Sequence, residues 1–282
     1  MTRPTLPLFW MVPVFFLGAC VTTEDQFHTA SSFDATPSYR GPYSRPLSDQ
    51  PPASEEDAKA RNHTELGQAW LFERARTDVA LDEARTALRI KPGYPPAYHL
   101  MGLVYMRLAQ NAQADDAFRR ALGGAPGDPD FNNSYGWFLC TQKRFSEAMS
   151  RFATSAANPY YQHKASPHTN AGLCLLENNE LERAEIQFSK ALEIVPSDSR
   201  EAQEPLYRLA EVGYRRGNYR SAHDLLIKFH QRFEPDARSA WLGVRTARRL
   251  GEKHSEASYG EQLRSRFADS PENALMMQGK YE

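Results

Sequence analysis

The chain has 282 residues, with 34 basic against 35 acidic side chains and a formal charge of −1. That balance excludes a strong global attraction to nucleic acid. No P-loop, dinucleotide fingerprint, HExxH or Gly-x-Ser-x-Gly signature occurs, so the common nucleotide, metalloprotease and serine-hydrolase chemistries lack their motifs. Residues 1–19 form a separate system. Arg3 supplies a thin positive region, Leu6 to Phe16 an apolar run, and Leu17-Gly18-Ala19-Cys20 a small-residue cleavage site ending in cysteine. The run is shorter than the roughly 20 residues that span a bilayer. Pro7 and Pro13 also make it a poor permanent helix.

This arrangement resembles a bacterial lipoprotein signal peptide with its lipobox; the alternative is an ordinary secretory signal in which the cysteine is incidental. The resemblance implies that Cys20 becomes the first mature residue and carries lipid. Each buried CH₂ contributes about 0.8 kcal/mol, so several acyl chains anchor firmly. Val21 stands where many Gram-negative lipoproteins carry an aspartate that signals inner-membrane retention. The implied location is the periplasmic face of the outer membrane. Cleavage removes Arg3 and lowers the formal charge from −1 to −2.

Over residues 20–55, Pro37, Pro42, Pro46, Pro51 and Pro52 sit among serines, tyrosines and charges. With few aliphatic side chains, such a stretch buries too little apolar area to offset its ordering entropy. It reads as a flexible tether behind a lipidated cysteine, with a reach of roughly 30 Å.

Residues 56–282 carry a repeat. Gly102, Tyr105, Ala114, Phe118, Ala121 and Pro126 are answered at identical intervals by Gly172, Leu175, Ala184, Phe188, Ala191 and Pro196. This is the lattice of the tetratricopeptide repeat (TPR), a helix–turn–helix unit. Gly102 is expected to face Ala114 where the two helices approach, with Tyr105 and Phe118 filling the adjoining space. Pro126 ends the second helix. Weaker copies centre on Gly67, Gly136, Ala210 and Gly243, placing repeats near 60–94, 95–128, 129–164, 165–202, 203–235 and 236–271. Turns within repeats are expected at Asn111, Gln142-Lys143, Asn178-Asn179 and Gly217-Asn218. No alternating strand pattern interrupts the series. The predicted fold is all-α, a right-handed TPR superhelix (α-solenoid) of about six repeats whose last member caps the stack.

Two cysteines remain in the mature chain, Cys140 and Cys174, at similar heights on neighbouring first helices. In an oxidising compartment they can pair; the alternative is two buried thiols. His163 and His168 flank a helix start and read as surface turn residues, and the acids Asp115-Asp116 read as a solvated helix face. No metal-ligand spacing, cofactor motif or acid/base pair emerges, so the chain reads as a binding scaffold and not an enzyme.

In a TPR solenoid the first helices line the concave face at repeat positions 2, 5, 9, 12 and 13. Here these give Leu71 and Phe72 in the first repeat, and His99, Leu103, Met106 and Arg107 in the second. The third adds Asn133, Trp137 and Thr141, the fourth Thr169, Leu173 and Glu177. The fifth supplies Tyr207, Glu211, Tyr214 and Arg215. Aromatics mixed with Arg and Met have the composition of a protein-binding groove.

Two blocks narrow the resemblance. Asn132-Asn133-Ser134-Tyr135-Gly136-Trp137-Phe138-Leu139-Cys140 and Ala257-Ser258-Tyr259-Gly260 resemble the third and last repeats of the type IV pilus biogenesis lipoproteins PilF and PilW. Ser134 and Ala268 depart from that family's pattern. The resemblance implies a pilotin, a lipid-anchored scaffold that binds secretin subunits and promotes their outer-membrane localisation and multimerisation. The alternative is a general outer-membrane TPR adaptor for cell-wall hydrolases or outer-membrane protein assembly. Neither reading involves nucleic acid, a small-molecule substrate or a cofactor.

Overall fold

The structure, a computed structural model, describes residues 44–281. The signal peptide, Cys20 and the expected tether before residue 44 lie outside the described residues. The six hairpins pair α1 (Glu55–Phe72) with α2 (Thr77–Ile90), α3 (Pro95–Arg107) with α4 (Asn111–Gly124), and α5 (Pro129–Thr141) with α6 (Phe145–Ala156). They continue with α7 (Ala165–Glu177) and α8 (Leu181–Ile194), α9 (Arg200–Arg215) and α10 (Tyr219–His230), and α11 (Ala237–Leu250) and α12 (Lys253–Arg266). A short helix, α13 (Pro271–Met277), follows, and no strand occurs among the described residues. The fold is the all-α superhelical repeat expected from the lattice.

Local chemistry sets the boundaries. Pro95 and Pro129 open α3 and α5, where a missing N–H is harmless. Asp236 opens α11 with a reciprocal capping box to Ser239. Inside every hairpin a single left-handed residue turns the chain: Ala75, Ala109, Lys143, Asn179, Gly217 and Gly251, with φ between 54° and 79°. In the second repeat the turn therefore falls at Ala109, and Asn111, expected there, is already the first residue of α4.

Four of the six hairpins close on one recurring contact. A Cβ built on Gly102 would lie 2.7 Å from the Phe118 ring; on Gly136, 2.8 Å from Phe152; on Gly172, 2.5 Å from Phe188; on Gly243, 2.7 Å from Tyr259. The ring always comes from the second helix, sixteen positions later in the sequence. The nearest neighbour of Gly102 is thus the Phe118 ring, and Ala114 is buried in the same core cluster as that ring. In the fifth repeat Ala210 replaces the glycine, and the residue sixteen positions on is Leu226, which carries no ring. Hairpin specificity thus lies in paired volumes, small under large.

Neighbouring hairpins are joined at a second recurring height. Leu71 and Val104 share one core cluster, Phe138 packs with Met106 in another, and Leu176 shares a third with Val212. At the same height between the third and fourth repeats stands the Cys140–Cys174 disulfide, with a Cα–Cα distance of 5.8 Å. Leu71, expected in the groove, is consequently an inter-repeat core residue, 2% exposed.

Two further elements complete the stack. Helix α13, which the six-hairpin expectation omitted, closes the C-terminal end: Ser270 caps it, and Met276 packs with Trp241, Tyr259 and Leu263. At the other end, residues 44–50 form a strap, including a 3-10 turn at Leu47–Asp49. Asn158 Nδ2 donates to the Ser44 carbonyl at 2.9 Å, the Leu47 N–H donates to Asp128 Oδ2 at 2.8 Å, and Arg61 Nη2 donates to the Leu47 carbonyl at 2.9 Å. Arg61 also donates to the Gln50 carbonyl. The expectation of a flexible tether as far as residue 55 is therefore corrected from residue 44 onward. Composition counts side chains, whereas the strap is held mainly through its backbone, with Pro46 buried beneath it. Asp128 is 1% exposed, and burial pushes its carboxyl up to about 6 although the Leu47 and Phe131 N–H groups pull it down.

Four outcomes follow from this geometry. Gly172→Leu forces a side chain into the Phe188 ring and should cost about 1–3 kcal/mol in urea unfolding. Gly123→Ala, where nothing lies within 4 Å, should be neutral or stabilising. Reducing the disulfide, which closes a separation of 34 residues, should lower stability by roughly 4 kcal/mol on loop entropy, checked by melting with and without dithiothreitol. Asp128 is held above its unfolded value, so folding binds its proton more tightly. Its contribution is present at pH 4 and lost as pH rises through about 6. Relative to Asp128→Asn, the wild type should lose about 2–3 kcal/mol between pH 4 and pH 8, read from paired melts.

Candidate functional site

The concave face is built from α1, α3, α5, α7, α9 and α11, and its sixteen expected residues divide by exposure. Phe72 is 65% exposed, and Arg107, Thr141, Glu177 and Arg215 are exposed as well. Leu103, Met106, Asn133, Trp137, Thr169, Leu173, Glu211 and Tyr214 are half-buried, each with one side on the core and one on the groove. Leu71 and Tyr207 are buried, and for these two the groove expectation is corrected; His99 is buried as well, but at the floor of a cleft on this face that it lines. Leu71 forms an inter-repeat junction. His99 stacks on Phe131 with centroids 4.6 Å apart, and Tyr207 meets Phe229 edge-on at 6.1 Å.

Several groove residues also tie repeats together, which fixes their geometry. Asn133 Oδ1 accepts from Asn170 Nδ2 at 3.0 Å, linking α5 to α7. Arg215 donates to Asn179 at 3.1 Å, and Arg107 to the Leu71 carbonyl at 3.4 Å. Glu211 is held by Arg208 at 2.7 Å. Trp137 packs one side against the third-repeat core cluster and leaves the rest of its indole half-exposed.

This face holds a cleft of about 300 Å³ between α1, α3, α5 and the strap. Leu47, Phe72, Tyr94, Leu103 and Phe131 supply its apolar wall; Arg61, Glu65, Gln68, Asp128 and Asp130 supply its polar wall. His99 also lines it, with a buried Nε2 that has no hydrogen-bond partner. Burial lowers its pKa to about 4, so the ring is neutral at physiological pH. Burial likewise raises Asp130, and it raises the Tyr161 hydroxyl well above its ordinary value. The wall can therefore pair a polar group with the neutral His99 ring and seat an apolar group beside Phe72.

Sequence reasoning missed Arg61, Asp128, Asp130 and Phe131, which sit at helix starts or on the outer flank of α1. The strap, absent from the repeat lattice, is what brings them into one site. Asp115 was expected on a solvated face but is half-buried, collecting Arg119 at 2.8 Å, Arg144 at 2.7 Å and the Tyr135 hydroxyl at 2.9 Å. His163 meets Glu201 at 3.2 Å and His168 meets Gln187 at 2.9 Å. Among the described residues no three His, Cys, Asp or Glu side chains gather as a metal site.

Comparison with known proteins agrees with this geometry. A tetratricopeptide-repeat profile matches residues 99–167. The type IV pilus assembly protein PilF of Pseudomonas aeruginosa is 29% identical over 210 residues, covering 74% of this chain and 81% of that protein. A solved structure of Pseudomonas aeruginosa PilF superposes with a TM-score of 0.69 at 27% identity, covering 80% of this chain and 100% of the other. The crystal structure of PilW, described as a widely conserved type IV pilus biogenesis factor, gives 0.70 at 26% identity, covering 77% and 98%. The chain is thus an all-α tetratricopeptide-repeat protein, similar along about three quarters of its length to the type IV pilus biogenesis proteins PilF and PilW.

Proposed function

We propose that this chain is a pilotin: an outer-membrane lipoprotein, anchored through Cys20 on the periplasmic face, that binds secretin subunits and promotes their localisation and multimerisation. The observation that supports this most is similarity to PilF and PilW along about four-fifths of the chain. In this reading the work is stoichiometric binding with no covalent step. Lipid on Cys20 selects the membrane, the segment ahead of Ser44 sets the reach, and the concave face holds the client. Phe72, Leu103 and Trp137 give that face apolar anchors, and large half-buried aromatics commonly dominate protein interfaces. A holder also needs a rigid wall, and the disulfide with the Asn133–Asn170 bond stiffens the middle of the groove.

Deletion of the gene should leave secretin as monomers away from the outer membrane and abolish pili. Complementation with Cys20→Ala should restore protein but not secretin location. Complementation with Trp137→Ala should weaken secretin capture while the purified variant melts within a few degrees of wild type. Intact secretin rings with altered cell-wall turnover after deletion would instead indicate a general cell-wall adaptor.

A further inference from the structure

The junction between the fifth and sixth repeats departs from the other four. Where those use Leu71 with Val104, Met106 with Phe138, the disulfide, and Leu176 with Val212, this one sets Arg245 against Tyr214. The guanidinium carbon lies 4.6 Å from the Tyr214 ring centroid and 5.7 Å from that of Trp241. Such stacking holds the fork in one orientation and satisfies its π face, but none of its N–H groups.

Arg245 makes no ion pair or hydrogen bond among the described residues, and its Nε is buried without a partner. The neighbouring arginines are engaged. Arg208 pairs with Glu204 and Glu211, Arg238 with Glu204 and Asp236, and Arg248 with Glu256. Arg215, next to Tyr214 on the groove, bonds only a neutral amide, that of Asn179. Three other junctions close at this height with apolar residues alone. Here the stacking uses only the face of the guanidinium, and its charge has no carboxylate partner among the described residues.

We infer that the α9–α11 end of the concave face is a docking site for an acidic segment of a protein partner, one of whose side-chain carboxylates accepts from the Arg245 fork while Tyr214 and Trp241 flank it. A carboxylate fits because its two oxygens match a planar guanidinium. This rests on the reading of the concave face as a client groove. It adds the client's chemistry: apolar residues toward the Phe72–Trp137 end, acid toward Arg245.

The test uses the full mature chain and two fluorescein-labelled dodecapeptides of equal apolar content, one with four glutamates and one with four glutamines at the same positions. By anisotropy, wild type should bind the glutamate peptide roughly tenfold or more tightly than the glutamine peptide. The preference should shrink as salt rises from about 50 mM to about 500 mM. Arg245→Met, which restores the apolar pattern of the other junctions, should keep its melting temperature within a few degrees and lose the preference. Arg245→Glu should reverse it toward a lysine peptide, a result that general destabilisation does not produce. Equal affinity of wild type for the two peptides, or a preference retained in Arg245→Met, overturns the inference. So does Arg245-dependent binding of phosphatidylglycerol vesicles without peptide binding, which would replace the occupant. None of these failures touches the secretin reading, which falls only if deletion leaves secretin assembly intact.

Discussion

A ring laid across a bare backbone is the contact on which this molecule depends. Two helices that approach closely enough for Gly102, Gly136, Gly172 or Gly243 to meet a facing aromatic leave no space for a methyl group. Because interiors are packed to crystal-like density, that exclusion fixes rotation, height and crossing of each pair at once. The hairpin is therefore specified by one small and one large residue, and the rest of its sequence is free to vary. Variation on the first helices is what decorates the groove.

Stacking the hairpins is a separate matter with its own chemistry. Four junctions are closed by apolar contact or a disulfide and the fifth by a cation over aromatic rings, at one height along the stack. In a solenoid each unit touches only its neighbours, so stability is close to a sum over such junctions. A covalent link in the middle, between the third and fourth repeats, opposes separation where two half-solenoids would otherwise part. The ends are protected differently. Helix α13 covers the last repeat with Met276, and Tyr281 stands over Trp241 at 5.5 Å.

The strap changes how the groove is divided. By crossing from Asn158 to Arg61 it converts an open wall over the first three repeats into a bounded cleft. The buried Asp128 carboxylate carries a desolvation penalty partly offset by two backbone donors, one from the helix it caps and one from the strap. The cleft also contains a neutral histidine whose Nε2 has no hydrogen-bond partner. Beyond it the face becomes polar and then arginine-rich toward α11.

The sequence by itself determined the helices, the hairpin register and the repeat count, because small and aromatic residues recur at intervals that only one packing satisfies. It also put Cys140 and Cys174 at matching heights, leaving only their bonding open. What the tertiary structure decided were relations between residues that no interval encodes. Gly102 lies directly against the Phe118 ring, whose volume is invisible to spacing. Leu71 and Tyr207 leave the groove because a position number gives a direction from the helix axis, not the depth to which a neighbouring repeat buries it. Residues 44–50 and α13 carry no repeat, so only the three-dimensional surface that receives them, through Asp128, Asn158 and Arg61 at one end and Trp241 at the other, gives them a place.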